Sequence, residues 1–285
     1  MSGRDDRTGA PTDRGSPARA GVVGLVGRDL SAPVVVELAE GLQYGIGEER
    51  RVVLLASSHG DGRLGEVLES FWLLPAEGVV VVGEVDRPDD VSRFARLGLP
   101  LAVVGDRVHT PNVACVSFDL EMAARVSVDH LAGSGLRRIG MIAPPEGSPG
   151  SPIERGFLSA VEAAGVEAAI VRAEATVEGG GTALRDLIER FRGVDGVVAH
   201  NDLMATGIVR QAADLGIRVP AQIAVISADD MGLGALVIPA LTSVRPVSER
   251  LVAAVTTALA RLIDEPGLSP EPVEVPVELM VRESA

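Results

Sequence analysis

The stretch Val197-Val198-Ala199-His200-Asn201-Asp202-Leu203-Met204 carries the pattern that decides the fold. A short β-branched run ends in small polar side chains, and an amphipathic segment follows at once. Leu203, Met204, Ile208, Ala212 and Leu215 recur at helical spacing, Gly216 stands where a helix C-cap belongs, and Pro220 lies just beyond. The same rhythm extends in both directions. Val22–Val26, Val52–Ala56, Gly78–Val82, Leu101–Val104, Ile139–Ala143, Val166–Val171 and Ile223–Ile226 are apolar runs separated by helical stretches. Runs without polar alternation suit strands covered on both faces, so the pattern predicts a doubly wound α/β protein with parallel sheets. Together with a C-terminal run at Val273–Val281, these strands point to two sheets. Gly133-Ser134-Gly135, near the middle of the chain, is a candidate crossover between them.

Composition narrows the function classes. The 285 residues are 46% hydrophobic, enough for substantial cores, and no apolar run approaches the roughly 20 residues of a membrane span. Residues 1–20 are polar, carry both charge signs and lack periodicity. They read as a disordered leader without signal peptide or anchor, so a cytoplasmic protein with no membrane partner is expected. Cys115 is the single cysteine, which excludes an internal disulfide and any multi-cysteine metal site. All 26 basic residues are arginine, so no Schiff-base lysine and no P-loop lysine exist. A net charge of −14 weighs against direct nucleic-acid binding, which needs a basic face to displace phosphate counterions. No GxSxG, HExxH or GxxxxGK[ST] occurs, the four histidines lack metal spacing, and Gly179-Gly180-Gly181 reads as a turn. A non-enzyme without cofactor or metal is expected.

Ligands of parallel sheets bind beyond the carboxyl ends of the strands, and polar residues collect at those ends here. Arg28 and Asp29, Ser57 to His59, His200 to Asp202, and Ser227 to Asp230 suit a polar, hydrogen-bonding small molecule. Asn201 and Asp202 have a structural alternative, since either could N-cap the helix near Leu203. Asp229-Asp230 could be a solvated loop tip, although two adjacent acids after a buried strand call for at least one partner. Arg155 falls in the first turn of a helix starting near Ile153, off its apolar stripe of Ile153, Phe157, Val161 and Ala164. A cation there opposes the helix dipole. It either pairs with a nearby acid such as Glu154 or reaches into a cleft to hold ligand oxygens. Trp72 is either core or a subunit-interface anchor.

Several segments together resemble the LacI-type transcription regulators. His130-Leu131 with Gly135-Leu136-Arg137-Arg138-Ile139-Gly140, Asn201-Asp202-Leu203-Met204-Ala205-Thr206-Gly207, Val219-Pro220 through Asp229-Asp230, Pro239 to Pro246, and Pro276 to Ser284 are similar to that family's motifs. The resemblance runs from about Val22 to the C-terminus. It implies a type I periplasmic-binding-protein-like fold of two lobes joined by three crossovers. The first lobe is expected at 21–134 plus 246–272, and the second at 135–245 plus 273–285. The resemblance also implies a small effector between the lobes (a sugar, nucleoside or other polar metabolite) contacted by Arg155, Asn201, Asp229 and Asp119. Dimerisation and allosteric control of DNA binding follow from it. Only 20 residues precede the first strand, so the family's helix-turn-helix headpiece is expected to lie outside this chain and to be the sole route to DNA. A stand-alone binding protein or heterodimer partner is the alternative. Valines at Val34 and Val35 replace aromatic residues of the family's first loop, which favours an effector smaller and more polar than a standard sugar, or weakened binding.

Overall fold

A computed structural model describes residues 21–27, 30, 33–46, 51–58, 63–74, 76–83, 85, 87–105, 110–145, 151–230 and 232–285. The leader 1–20, the strand-end residues Arg28 and Asp29, and His59 lie outside the described residues.

The first half alternates strand and helix: β1 Val22–Gly27, α1 Pro33–Tyr44, β2 Val52–Ser57, α2 Arg63–Leu73, β3 Gly78–Gly83, α3 Pro88–Arg96, β4 Leu101–Gly105 and β5 Val113–Phe118. The second half continues with α4 Leu120–Gly133, β6 Arg138–Ala143, α5 Pro152–Ala164, β7 Glu167–Arg172, α6 Val177–Arg190, β8 Gly196–Ala199, α7 Asp202–Asp214 and β9 Ala224–Ser227. Then come β10 Thr242–Pro246, α8 Ser248–Asp264, β11 Val273–Val275 and β12 Val277–Met280. The strands form two six-stranded sheets, ordered β11-β5-β4-β3-β1-β2 and β12-β10-β9-β8-β6-β7. Every strand pair is parallel except β10 with β12. β12 leaves β11 through Pro276 alone, with no helix to turn the chain round, so it enters the second sheet running against its neighbours.

Each sheet has an apolar cluster on both faces, as a doubly wound lobe requires. Phe94 and Phe157 are among the largest fully buried side chains. Truncating such a ring costs about 3–5 kcal/mol. β2 departs from the expectation of a strand covered on both faces. It lies at the sheet edge with Val52, Leu54 and Leu55 exposed, and Trp72 and Leu73 at the end of α2 are exposed too. Trp72 is therefore not core.

The lobe boundaries differ from the sequence expectation by one element at two places. Helix α4 was expected in the first lobe, yet Ala123, Val128 and Leu131 pack with Ile139, Met141 and Phe157 of the second. The chain therefore crosses at Asp119, and Gly133-Ser134-Gly135 is only the turn that ends α4. Near the C-terminus, Val273–Val275 pairs with β5 and stays in the first sheet, so the last crossing is at Pro276. The remaining crossing is at Val247, between β10 in the second sheet and α8 packed on the first. Strands β5 and β10 carry Ser117 and Ser243 within short runs, which kept them out of the apolar pattern.

Gly179-Gly180-Gly181 is also not a turn; it forms the first turn of α6. Its role is close approach. A Cβ on Gly180 would lie 2.2 Å from the Met204 carbonyl oxygen, and one on Gly207 would lie 1.9 Å from that of Val177. The α6 and α7 backbones are in mutual contact there, and neither can recede without opening the core beneath. Gly207→Ala should lower stability by roughly 1–3 kcal/mol, read as a lower urea midpoint. A gain, the ordinary result of Gly→Ala inside a helix, would contradict this packing.

Candidate functional site

The carboxyl ends of both sheets face each other across the gap between the lobes, and a cavity of about 510 Å³ occupies it. The first lobe contributes Gly27, Gly83 and Gly105 from the ends of β1, β3 and β4, with Val35, Val82 and Phe118. The second lobe contributes Leu120, Ala123 and Ile153 from α4 and α5, and His200 and Asp229 from the tips of β8 and β9. Ala228, Val244, Arg245, Pro246 and Val277 complete the lining. The polar mouth expected from the strand ends is thus, among the described residues, largely apolar, with polar side chains at a few points.

Local backbone geometry sets His200 and Asp229 side by side. The His200 N–H donates to the Ile142 carbonyl at 2.9 Å, and the Ala228 N–H donates to that of Ala199 at 2.9 Å, so the two strand tips stay abreast. Ser227 Oγ donates to the Asp229 carbonyl at 2.8 Å and fixes the turn after β9. Behind Asp229, Asp230 accepts from Arg282 Nη2 at 2.9 Å, which supplies the partner expected for one of the two adjacent acids. Asp202 is buried and accepts from the Gly234 N–H at 3.2 Å.

The electrostatics follow from this crowding. Burial, and then the neighbouring carboxylates of Asp202 and Asp230, push the Asp229 carboxyl up from 3.8 to about 7. Burial lowers the pKa of His200, opposed by the charge of Glu154, which favours the neutral imidazole. Its Nδ1 is buried without a hydrogen-bond partner among the described residues. Arg245 turns its Nε onto Glu278, its register partner on β12, at 2.9 Å.

The other sequence candidates fall elsewhere. Arg155 and Asp119 line an adjoining cavity of about 720 Å³ that shares Gly105, Phe118 and Leu120 with the first. Asp119 Oδ1 caps α4 by accepting from the Met122 N–H at 2.8 Å. Arg155 makes its ion pair across to α4, with Nη2 2.5 Å and Nε 2.9 Å from Glu121 Oε1. Both side chains are half exposed, so that pair contributes about 0–1 kcal/mol. Glu154, the acid expected beside it, is instead buried and bonded to Arg172 Nη1 at 2.5 Å, which raises the arginine's pKa. Asn201 is the N-cap of α7, its Oδ1 accepting from the Met204 N–H at 2.9 Å, and it lines neither cavity. Asp202, the other cap candidate, lies inside the helix.

The sequence expectation puts Arg155, Asn201, Asp229 and Asp119 on one ligand; the structure brings Asp229 to the inter-lobe cavity beside His200, sets Arg155 and Asp119 in the adjoining cavity, and leaves Asn201 outside both. Sequence reasoning also missed Ile153, whose place on the apolar stripe of α5 was the signal that this residue points at the lobe junction. Among the described residues, no cluster of three His, Cys, Asp or Glu could hold a metal ion. No helix of the described residues is long and apolar enough to cross a membrane.

Two α/β lobes that meet at their strand ends around a cavity define a bilobal small-molecule-binding module. The periplasmic binding protein-like domain family matches residues 128–285. A regulator of Streptomyces limosus, described as an uncharacterized HTH-type transcriptional regulator, is 34% identical over 282 residues, 93% of this chain and 79% of the relative. The ribose operon repressor of Halalkalibacterium halodurans is 27% identical over 93% of this chain and 80% of its own length. The solved complex of the regulator CelR with cellobiose superposes with a TM-score of 0.74 at 25% identity, over 94% of this chain and 85% of that one. This chain belongs to the LacI-type family of transcription regulators and comprises its ligand-binding part.

The folded chain holds the Asp229 proton more tightly than the unfolded chain does. This carboxyl therefore stabilises the fold at and below pH 3.8, and its contribution is lost as pH rises through about 7. The wild type should lose more stability across that window than Asp229→Asn, measured by urea denaturation at a series of pH values. Parallel curves for the two proteins would remove the raised carboxyl.

Proposed function

We propose that this chain is the effector sensor of a cytoplasmic transcription regulator, in which a small molecule bound between the lobes draws them together and so controls DNA binding. The observation that carries this reading is the placement of Asp229 and His200 at neighbouring strand tips in the inter-lobe cavity. A molecule there touches both lobes only when they approach, so it favours the closed form by its difference in affinity for the two forms. Asp229 and His200 would hold it directly. Arg155 and Asp119 would meet any part that extends into the adjoining cavity, and Asn201 would act through the position of α7.

Dimerisation belongs to the same proposal. The exposed β2 edge with Trp72 and Leu73 on the first lobe, and Leu236 and Ile238 on the second, offer each lobe an apolar face for a second copy. Such a contact would turn lobe closure into a change in the spacing of whatever DNA-binding elements the two copies carry.

The names of two relatives, a ribose operon repressor and a regulator solved with cellobiose, put sugars among the compounds to screen. In a thermal-shift screen of sugars, nucleosides, amines and organic acids, a hit should stabilise the wild type. Asp229→Ala should abolish the shift, and Arg155→Ala should reduce it less. A full shift retained by Asp229→Ala would place the ligand outside the cleft. Sedimentation should give twice the chain mass, with Trp72→Arg shifted toward monomer; a monomeric wild type would overturn the dimer.

A further inference from the structure

Residues 282–285 thread back beside β9 and β10, and what they hold there bears on the cleft. Ser284 is fully buried; its Oγ donates to the Val225 carbonyl at 2.5 Å and accepts from the Thr242 N–H at 2.8 Å. Its own carbonyl accepts from the Val225 N–H at 2.8 Å. The Arg282 N–H donates to Thr242 Oγ1 at 3.0 Å. β10 pairs with β9 only at Thr242 with Ile226 and Ser243 with Ser227, so the tail takes up β9 one residue before β10 reaches it. Backbone held at this many points delivers the Arg282 guanidinium to one place.

That guanidinium has two partners. Nη2 donates to Asp230 Oδ2 at 2.9 Å, and Nη1 to the Leu241 carbonyl at 2.7 Å. Asp230 directly follows Asp229, and its carboxyl is buried, with Arg282 as its ion-pair partner among the described residues. Leu241 closes the segment 232–241, which folds through a 3-10 turn at Leu233–Leu236 and carries Leu236 and Ile238 into solvent. A second acid holds the same segment from within, since the Gly234 N–H donates to Asp202 Oδ2 at 3.2 Å. The Leu241 N–H returns to the Gly234 carbonyl at 2.9 Å. Arg282 thus spans the turn that presents Asp229 and the outer segment beyond it.

We propose that Arg282 is a positioning residue of the effector site: it holds Asp230 and the Leu241 carbonyl together, so that the turn presenting Asp229 and the exposed 232–241 segment shift as one unit. This rests on the reading above of the cleft as the effector site. Arg282 lines neither cavity and acts through Asp230. It fixes where the backbone sets Asp229, and its charge offsets that of Asp230 beside it. The other charged or titratable groups near Asp229 come from separate elements: His200 after β8, Asp202 on α7, Glu154 on α5 with Arg172 of β7, and Arg245 on β10 with Glu278 of β12. None of them bonds to Arg282, so a change at Asp229 on replacing Arg282 reports the Arg282–Asp230 pair.

Two ligand-free measurements on the full chain test this. The first is the titration midpoint of Asp229, read from aspartate carboxyl carbon shifts and assigned with Asp229→Asn; it lies at about 7 in the wild type. Arg282→Gln should raise it, because the Asp230 charge is no longer offset, and Asp230→Asn should lower it. The double variant, having lost both charges, should return it close to the wild-type value, as should Arg282→Lys. The second is amide exchange of peptides spanning 232–241, read by mass spectrometry. Arg282→Gln should speed it roughly tenfold or more, the weight of one charge-assisted hydrogen bond. Asp230→Asn should speed it as well, although Asp230 does not touch Leu241. A midpoint unmoved by Arg282→Gln, a double variant displaced as far as either single one, or exchange that ignores Asp230→Asn overturns the proposal and leaves Arg282 a tail anchor. Should Arg282→Gln fail to fold, Asp230→Asn decides alone: an unlowered midpoint or unchanged exchange overturns it. Neither readout needs an effector, so failure of the effector reading shows separately, as thermal shifts that survive Asp229→Ala.

Discussion

Three chain crossings laid side by side between the lobes are the constraint on which the rest of this structure depends. They pass at Asp119, Val247 and Pro276, and two backbone hydrogen bonds tie them together. The Asp119 N–H donates to the Val275 carbonyl at 3.2 Å, and the Val247 N–H donates to that of Pro276 at 2.9 Å. The strands and helices that enter and leave these crossings fix where each sheet ends. The carboxyl ends of two parallel sheets are thereby turned toward each other, and the backbone N–H and C=O groups at those ends face a shared gap. Neither lobe needs the other for its core, since each has apolar clusters on both faces of its own sheet. On the proposed closure, the lobes would change their separation with little cost in packing, and the crossings are where the backbone dihedrals would absorb the movement.

The chemistry of the gap follows from what each strand places at its tip. Among the described residues, β1, β3 and β4 end in glycine and the first lobe adds Val35, Val82 and Phe118, while His200 just after β8 and Asp229 just after β9 give the second lobe's hydrogen-bonding groups. Asp229 is kept there by the turn that Ser227 closes; of the acids near it, Asp230 pairs with Arg282 and Glu154 with Arg172, neither of which lines the cavity. Burial and the neighbouring carboxylates of Asp202 and Asp230 together raise the pKa of Asp229 to about 7.

Much of this was legible in the amino-acid sequence. The apolar runs between amphipathic stretches specified doubly wound lobes, because a strand covered on both faces leaves no other pattern. Gly216, with its φ of +70°, ended α7 where its spacing indicated. The site was legible only in part. Asp229 reaches the cavity because the chain just beyond a buried strand opens onto the carboxyl end of the sheet. Arg155 stands out in the sequence by its place in a first helical turn off the apolar stripe, and its flank position becomes clear only when α4 is seen packing on α5, with Glu121 in reach. Asn201 is a site residue on the family resemblance, with capping as its alternative, and only the path of α7 shows that it caps the helix while His200 lines the cavity. The course of α4 was misjudged for a related reason. An amphipathic helix shows that it has an apolar face, while the identity of the sheet beneath it is a tertiary fact.

The central claim, that a molecule in the inter-lobe cleft draws the two lobes together about the three crossings, is tested most directly by small-angle X-ray scattering of the chain with and without a saturating cleft ligand. The account predicts a smaller radius of gyration in the bound sample at unchanged molecular mass, and no change for Asp229→Ala under the same conditions. Saturated binding that depends on Asp229 yet leaves the radius of gyration of the wild type unaltered would contradict it.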